Sequence, residues 1–269
     1  MRDPHVQAMH YKIISGGGVS YLNPELMSFS NHLGTFDVSG DKLRIVPSEH
    51  FPDESSSRRA IQPFLEQWEM EIHLTSTIPM LRFEFDRVEL IDRAPPPPPP
   101  PVVNSGAAST AQARSVSLGA RGMAVLHGRA TLQLTCSKYP EPPKTFRATT
   151  EVQHAYRRWL GYRSGNEPLQ SMAFFVLTLL QDAAGNRQAA ARSFQIDVKV
   201  LKKIGELSST KGNERTARKG PGPGKQFQEL SGAEKQWLEQ AIPLVIHRLG
   251  EHASGAPLAP ISLRDLPSL

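Results

Sequence analysis

The sequence predicts an α+β protein, with an N-terminal antiparallel β-rich module that carries one covering helix and a C-terminal α-helical bundle. Two patterns lead to this fold class. Residues 81–85 alternate apolar and charged side chains, as a strand with one buried face does. Beyond Thr149, apolar residues recur at three- and four-residue spacing, which is typical of helices packed on one face. The change of period near residue 149 indicates two modules.

Seven consecutive prolines, residues 95–101, interrupt the first module. Such a run adopts an extended polyproline II conformation. It is either a long loop between two strands or a docking ligand for an aromatic groove. We therefore expect a β-rich module over residues 1–148 with a disordered Pro-rich insertion at 94–117, a helical bundle over 149–254, and a C-terminal tail over 255–269.

The first module reads as a series of short strands separated by glycine-rich turns. The clearest strand, residues 81–85, continues over 88–90 after an irregularity at Asp86 and Arg87. The other predicted strands are residues 11–14, 19–22, 43–46, 116–126 and 130–136.

One helix lies between these strands. Ile61, Leu65, Trp68 and Ile72 recur at helical spacing and form an apolar stripe, which we expect to cover the sheet. Pro63 is expected in the first turn of this helix, where a proline is tolerated. Trp68 is interpreted as a core residue, with stacking on a ligand as the alternative.

The second module contains five predicted helices. The first is capped by Thr149 or Thr150, and the second begins near Pro168 and ends at Gly185. Because the second helix is apolar almost all round, it is expected at the centre of the bundle. The remaining helices are predicted at residues 187–193, at 198–207 behind an Asp197 cap, and after a Ser231 cap.

Basic residues gather at the end of the fourth helix and in the loop that follows. Positive side chains on a helix end and a flexible loop suit the phosphates of a nucleic acid, although a solvated loop explains the same charges. The candidate nucleic-acid-binding residues are Lys202, Lys203, Lys211, Arg215, Arg218 and Lys219.

The two short helices at 187–193 and 198–207 also have the outline of a helix-turn-helix. Ala190 and Val200 lie near the packing positions of such a motif, but the turn lacks the expected glycine. In this interpretation Lys199, Lys202 and Lys203 would contact DNA.

Composition restricts the compartment and the partners. The net charge of +5 favours an anionic partner. The single cysteine, Cys136, forms no internal disulfide, which suits a reducing compartment. The N-terminus lacks the apolar core of a signal peptide, and the longest apolar run, residues 172–180, is too short to cross a bilayer. We therefore expect a cytoplasmic protein with no membrane partner and RNA or another protein as its partner.

Catalytic motifs are not apparent in the sequence. There is no Walker phosphate loop, and the glycines at 16–18 lack the spacing of a dinucleotide fingerprint. No His, Cys and acidic residues have metal-ligand spacing. We therefore expect no metal, no cofactor and no enzymatic activity. The members of a catalytic triad meet only in the folded protein, however, so a triad need not follow a recognisable order in the sequence.

Residues 162–169, the apolar helix after them and the basic segment 215–219 resemble helical bundles of the HEPN type. The resemblance covers residues 150–252 and implies a bundle of four or five helices. In active members it implies metal-independent RNA cleavage by an Arg and a His with four to six residues between them.

The chain departs from the HEPN pattern at this pair. Arg215 and Arg218 have no His in range, and three residues separate Arg248 from His252. Arg121 and His127 match formally but fall on a predicted strand. The resemblance therefore implies a non-cleaving relative. The whole chain also resembles uncharacterised bacterial proteins with a two-module layout.

Three functional hypotheses follow. The first is a non-enzymatic cytoplasmic binding protein, with a β module for a partner or ligand and a basic helical module for protein or RNA. The second is a HEPN-like ribonuclease acting through Arg218, Arg248 and His252. The third is a helix-turn-helix regulator that binds DNA.

Overall fold

The computed structural model of the chain describes residues 3–16, 19–21, 24–75, 81–93, 134–136, 138–211, 226 and 228–269. It has an N-terminal antiparallel sheet and a helical C-terminal part, which confirms the predicted α+β class. The strands are β1 (Pro4–Ser15), β2 (Val19–Tyr21), β3 (Met27–Asn31), β4 (Gly34–Ser39), β5 (Lys42–Pro47), β6 (Leu81–Asp92) and β7 (Leu134–Cys136). The helices are α1 (Glu54–Thr75), α2 (Thr150–Arg163), α3 (Leu169–Ala184), α4 (Arg187–Ser193), α5 (Val198–Thr210) and α6 (Gly232–Ser254), followed by a 3-10 turn (Leu263–Asp265).

Five strands form one antiparallel sheet in the order β3-β4-β5-β1-β6. Strand β6 pairs with β1 along its whole length, and the predicted irregularity is confirmed. His10 lies opposite Arg87 and Tyr11 opposite Phe85, so that Asp86 is an extra residue on β6. Leu81 and Phe83 point into the core while Arg82 and Glu84 are exposed, as the alternation predicts.

The hairpin of β3 and β4 was not predicted. Its residues are largely polar, and its apolar side chains are few. Phe36 and Val38 of β4 are nevertheless buried, because their side chains point to the sheet face that α1 covers. Strands β2 and β7 form a separate parallel pair. The predicted strand at 116–126 and the proline run at 95–101 lie outside the described residues.

Helix α1 begins at Glu54, nine residues before Pro63 and so well before the predicted start. Asp53 caps it, since its carboxylate accepts a hydrogen bond from the Ser56 N–H at 2.8 Å. The prediction that Pro63 lies in the first turn is therefore wrong: Pro63 is inside the helix. The apolar stripe is confirmed, because Ile61, Leu65 and Trp68 are buried against the sheet.

The buried side chains form two clusters, one against the sheet and one among the helices, and α1 contributes to both. Trp68 and Ile72 face the sheet, whereas Met70 and Leu74 pack into the helical cluster. Residues on opposite faces of α1 thus join the sheet part and the helical part of the chain.

A backbone segment before α2 also joins them. The side-chain amide of Gln67 on α1 donates to the carbonyl of Phe146 at 2.8 Å, and its oxygen accepts from the Ala148 N–H at 3.2 Å. One glutamine therefore satisfies a donor and an acceptor of a segment that is neither helix nor strand.

Helix α3 is the centre of the helical part, as predicted, and packs against α2, α4, α5 and α6. Its Met172, Val176 and Leu180 are fully buried. The structure confirms three predicted caps and settles the choice between two threonines: the N-cap residues are Thr149, Asp197 and Ser231.

The C-terminal tail, residues 255–269, docks on the helices. Ile261 forms a parallel bridge with Ile196, accepting from the Asp197 N–H and donating to the Gln195 carbonyl, both at 2.8 Å. Ile261 and Leu266 are buried in the helical cluster. Among the described residues, no helix combines the length and apolar character needed to cross a membrane.

Candidate nucleic-acid interface

Helix α5 separates its apolar and basic side chains onto opposite faces. Asp197 starts the helix by accepting the Lys199 N–H at 2.9 Å. Val200, Leu201, Ile204 and Leu207 then recur at helical spacing and are buried. This spacing turns Lys199, Lys202 and Lys203 outward. We call these three side chains the lysine face.

The lysine face borders a groove of about 400 Å³. Trp237 and Leu263 give the groove apolar lining, and Glu206 is the one acidic side chain among the described residues that line it. Lys203 reaches Glu206 at 3.3 Å, while Lys199 and Lys202 are exposed. Among the described lining residues, three ammonium groups thus stand against one acidic side chain, which makes the groove attractive to an anion.

Lys211, a predicted contact for nucleic acid, has a partner inside the protein. Its ammonium lies 3.2 Å from Glu234, and its side chain is 13% exposed. Although burial acts to raise the pKa of Glu234, the Ser231 N–H and the Lys211 ammonium outweigh it and lower that pKa. Glu234 also completes the capping box of α6, so Lys211 supports the start of that helix. Lys202 and Lys203 lie together, whereas Arg215, Arg218 and Lys219 lie outside the described residues.

The turn between α4 and α5 has the backbone that the missing glycine would supply. Gln195 has a φ of 51°, in the left-handed region, and its side chain donates to the Arg192 carbonyl at 2.9 Å. Ala190 and Val200 are fully buried on the two sides of this turn. The helix-turn-helix outline is therefore present without its usual turn residue.

Arg248 has a structural contact with the same turn. It is 5% exposed, and its guanidinium donates to the Phe194 carbonyl at 3.0 Å and to Glu251 at 2.8 Å. The His252 ring lies against the Phe194 ring, with centroids 4.5 Å apart. Arg248, one of the residues named in the ribonuclease hypothesis, thus binds groups inside the protein. Arg121, His127 and Arg218 lie outside the described residues.

A second group of titratable residues was not foreseen. It lies where α1, α2 and α6 meet, and two of its members, His73 and Glu239, line a cavity of about 470 Å³. His73 is hydrogen-bonded to Tyr156, and Tyr162 donates to Glu239. Burial lowers the pKa of His73 and raises the pKa of Tyr156 and of Tyr162, the last helped by Glu239.

The members of this second group are far apart in the sequence. His73 and Tyr156 are separated by 83 positions, and Tyr162 and Glu239 by 77. No local motif connects them, so sequence spacing carries no signal for the cavity. Within the described part of the chain, no three His, Cys, Asp or Glu side chains are grouped so as to hold a metal ion.

Comparison with known proteins adds no relative to this picture: no protein-family model matches the chain, and no similar curated protein or similar solved structure was found.

Proposed function

We propose that this chain is a non-enzymatic cytoplasmic binding protein whose helical part contacts RNA through the lysine face of α5, while the sheet part binds a partner or ligand. The observation that carries the proposal is the outward placement of Lys199, Lys202 and Lys203 beside a groove whose described lining residues include one acidic side chain. Ammonium groups on one face can follow a phosphate backbone without reading its sequence.

The position of α5 in the fold supports this proposal. Its apolar face is buried against α3, so the helix is held rigidly and its lysines share one surface. Lys211, at the end of this helix, leads into the basic segment that contains Arg215, Arg218 and Lys219. A rigid charged face continued by a charged segment suits extended polyanions.

The test is RNA binding by the full chain across a salt series. A triple variant, Lys199→Glu, Lys202→Glu and Lys203→Glu, reverses the lysine face. We expect the parent to bind with an affinity that falls steeply with salt. In the variant, binding should weaken at least about tenfold, and the slope of log affinity against log salt should shrink by about 2.

A matched triple variant controls for net charge. Lys12, Lys138 and Lys144 are exposed lysines that precede α2, with 55%, 76% and 72% exposed side chains. Their reversal to Glu changes the net charge by the same amount. Equal loss of binding in both variants, or no RNA binding by the parent at low salt, would overturn the proposal.

A DNA-binding regulator is the second candidate, and the turn at Gln195 favours it. A left-handed residue between two short helices takes the place of the glycine that the turn of a helix-turn-helix often contains, and in that motif the second helix enters a groove of duplex DNA. Under this alternative, duplex DNA competes with RNA for the parent chain. A selection from randomised duplexes then returns a defined sequence, and the Lys199, Lys202 and Lys203 variant loses it. Recovery of unrelated duplexes only would reject the regulator and leave phosphate contact.

A further inference from the structure

The cavity between α1, α2 and α6 has the dimensions of a metabolite site. Its volume of about 470 Å³ falls in the range that small-molecule pockets occupy. Four parts of the chain converge on it: the end of α1, the end of α2, the middle of α6 and the C-terminal tail. Sites at such junctions are common because separate elements supply different groups.

One wall of the cavity is apolar. Leu74, Trp159 and Leu266 belong to the helical core, and Leu244 adds a partly buried side chain beside them. These side chains offer an aliphatic or aromatic group a place out of water.

One polar group at the cavity is not used by an ion pair of the fold. Arg163 is an exposed residue that lines the cavity. Its guanidinium has no carboxylate within ion-pair distance in the described parts of the chain, and its aromatic contact is Trp159, at 5.8 Å. The guanidinium is thus available to bind an anionic group of a ligand.

The charges around the cavity decide the class of ligand. Arg163, Glu239 and Asp265 all line the cavity. The Glu239 carboxylate accepts the Tyr162 hydroxyl and lies 4.0 Å from the mostly exposed Lys235, and the Asp265 carboxylate accepts the Ser262 N–H at 2.7 Å. A plain anion would meet two carboxylates for one guanidinium. A zwitterion places its own carboxylate on the guanidinium and its ammonium on the acidic side, so both charges are compensated.

We propose that this cavity binds an α-amino acid with an apolar side chain. Arg163 holds its carboxylate, and the carboxylate of Glu239 accepts its ammonium. Its side chain lies on Trp159 and the neighbouring leucines. This site is distinct from the lysine face and does not depend on nucleic-acid binding.

The first experiment is calorimetric titration of the full chain with L-leucine, L-methionine and L-phenylalanine. For ligands this small we expect a dissociation constant between about 10 µM and about 1 mM for at least one of them. The methyl ester of the best ligand lacks the carboxylate, and its deaminated acid lacks the ammonium. Each should bind at least about tenfold more weakly. No binding by any of the three, or equal binding of ligand and analogues, overturns the proposal.

Variants test the roles given to the two charged groups, Arg163 and Glu239. Arg163→Gln should weaken the amino acid at least about tenfold, whereas Arg192→Gln, an exposed arginine of α4 away from the cavity, should not. Glu239→Gln should weaken the amino acid but not the deaminated acid, a difference that a merely structural role would not produce. Thermal unfolding shows whether each variant is folded. Folded Arg163 and Glu239 variants that bind as the parent does would refute the assignment.

Discussion

The ring of Phe146 takes the space where a side chain at Gly250 would stand: a Cβ added to Gly250 would lie 2.2 Å from Cε2 of Phe146. The same ring stacks on His247 of α6, with centroids 5.3 Å apart. Because the Arg147 N–H also donates to the Gly250 carbonyl at 3.0 Å, the segment before α2 approaches α6 closely at this glycine.

Gly250→Ala should therefore displace Phe146 and lower the free energy of unfolding by about 1–3 kcal/mol. Urea unfolding measures the change. Gly232→Ala, in the same helix, is the matched control, since no atom lies within 4 Å of a Cβ added there. The control should leave stability unchanged or raise it slightly. Equal effects of the two substitutions would contradict the steric argument.

Arg248→Met should destabilise the fold by about 2–4 kcal/mol, because it leaves the Phe194 carbonyl and Glu251 without a buried cation. Arg264→Met removes an exposed arginine of the tail and should have little effect. Denaturant unfolding of both proteins distinguishes them. An Arg248 variant as stable as the parent would show that the turn does not need this contact.

Gln195→Gly should raise stability by about 0.5–1 kcal/mol, since glycine adopts the left-handed backbone at little cost. Gln188→Gly is the same substitution inside α4, where it should lower stability by about 0.5–1 kcal/mol. In thermal unfolding, we expect the midpoint temperature to rise for Gln195→Gly and to fall for Gln188→Gly. Destabilisation at both positions would mean that the Gln195 side-chain contact with Arg192 contributes more to stability than the relief of the left-handed backbone strain does.

His73 should make the protein less stable in mild acid. Burial, then Arg82 and Arg163, lower the pKa of His73 from 6.5. Just below pH 6.5 the histidine is therefore protonated to a larger extent in the unfolded chain than in the folded chain. The unfolded state therefore binds more protons below about pH 6.5, and the free energy of unfolding falls as the pH falls through that value.

His73→Gln should flatten this dependence between about pH 7.5 and about pH 5.5, measured by urea unfolding. His154→Gln, which removes an exposed histidine of α2, should leave it as in the parent. If the His73 variant retains the full dependence, another group is responsible.

Local signals in the sequence predicted much of the secondary structure. The Asp86 irregularity and the Asp197 and Ser231 caps involve neighbouring residues, so they follow from local chemistry. The start of α1 was missed because Pro63 was read as a helix-start signal. The helix tolerates Pro63 in its interior because burial of Ile61, Leu65 and Trp68 stabilises the helix on both sides.

The candidate sites depended on contacts that no local pattern carries. The lysine face was predicted because its members share one helix. Lys211 was predicted to contact nucleic acid, yet it pairs with Glu234, 23 positions later in the chain. The role of Arg248 likewise depends on a turn 53 to 54 positions away in the chain.

The double role of α1 bears on how this chain can be divided. Trp68 and Ile72 belong to the cluster under the sheet, and Met70 and Leu74, between and beyond them, belong to the cluster among the helices. The border between the two halves therefore runs lengthwise along a helix, between its two faces. No cut between consecutive residues leaves both cores whole.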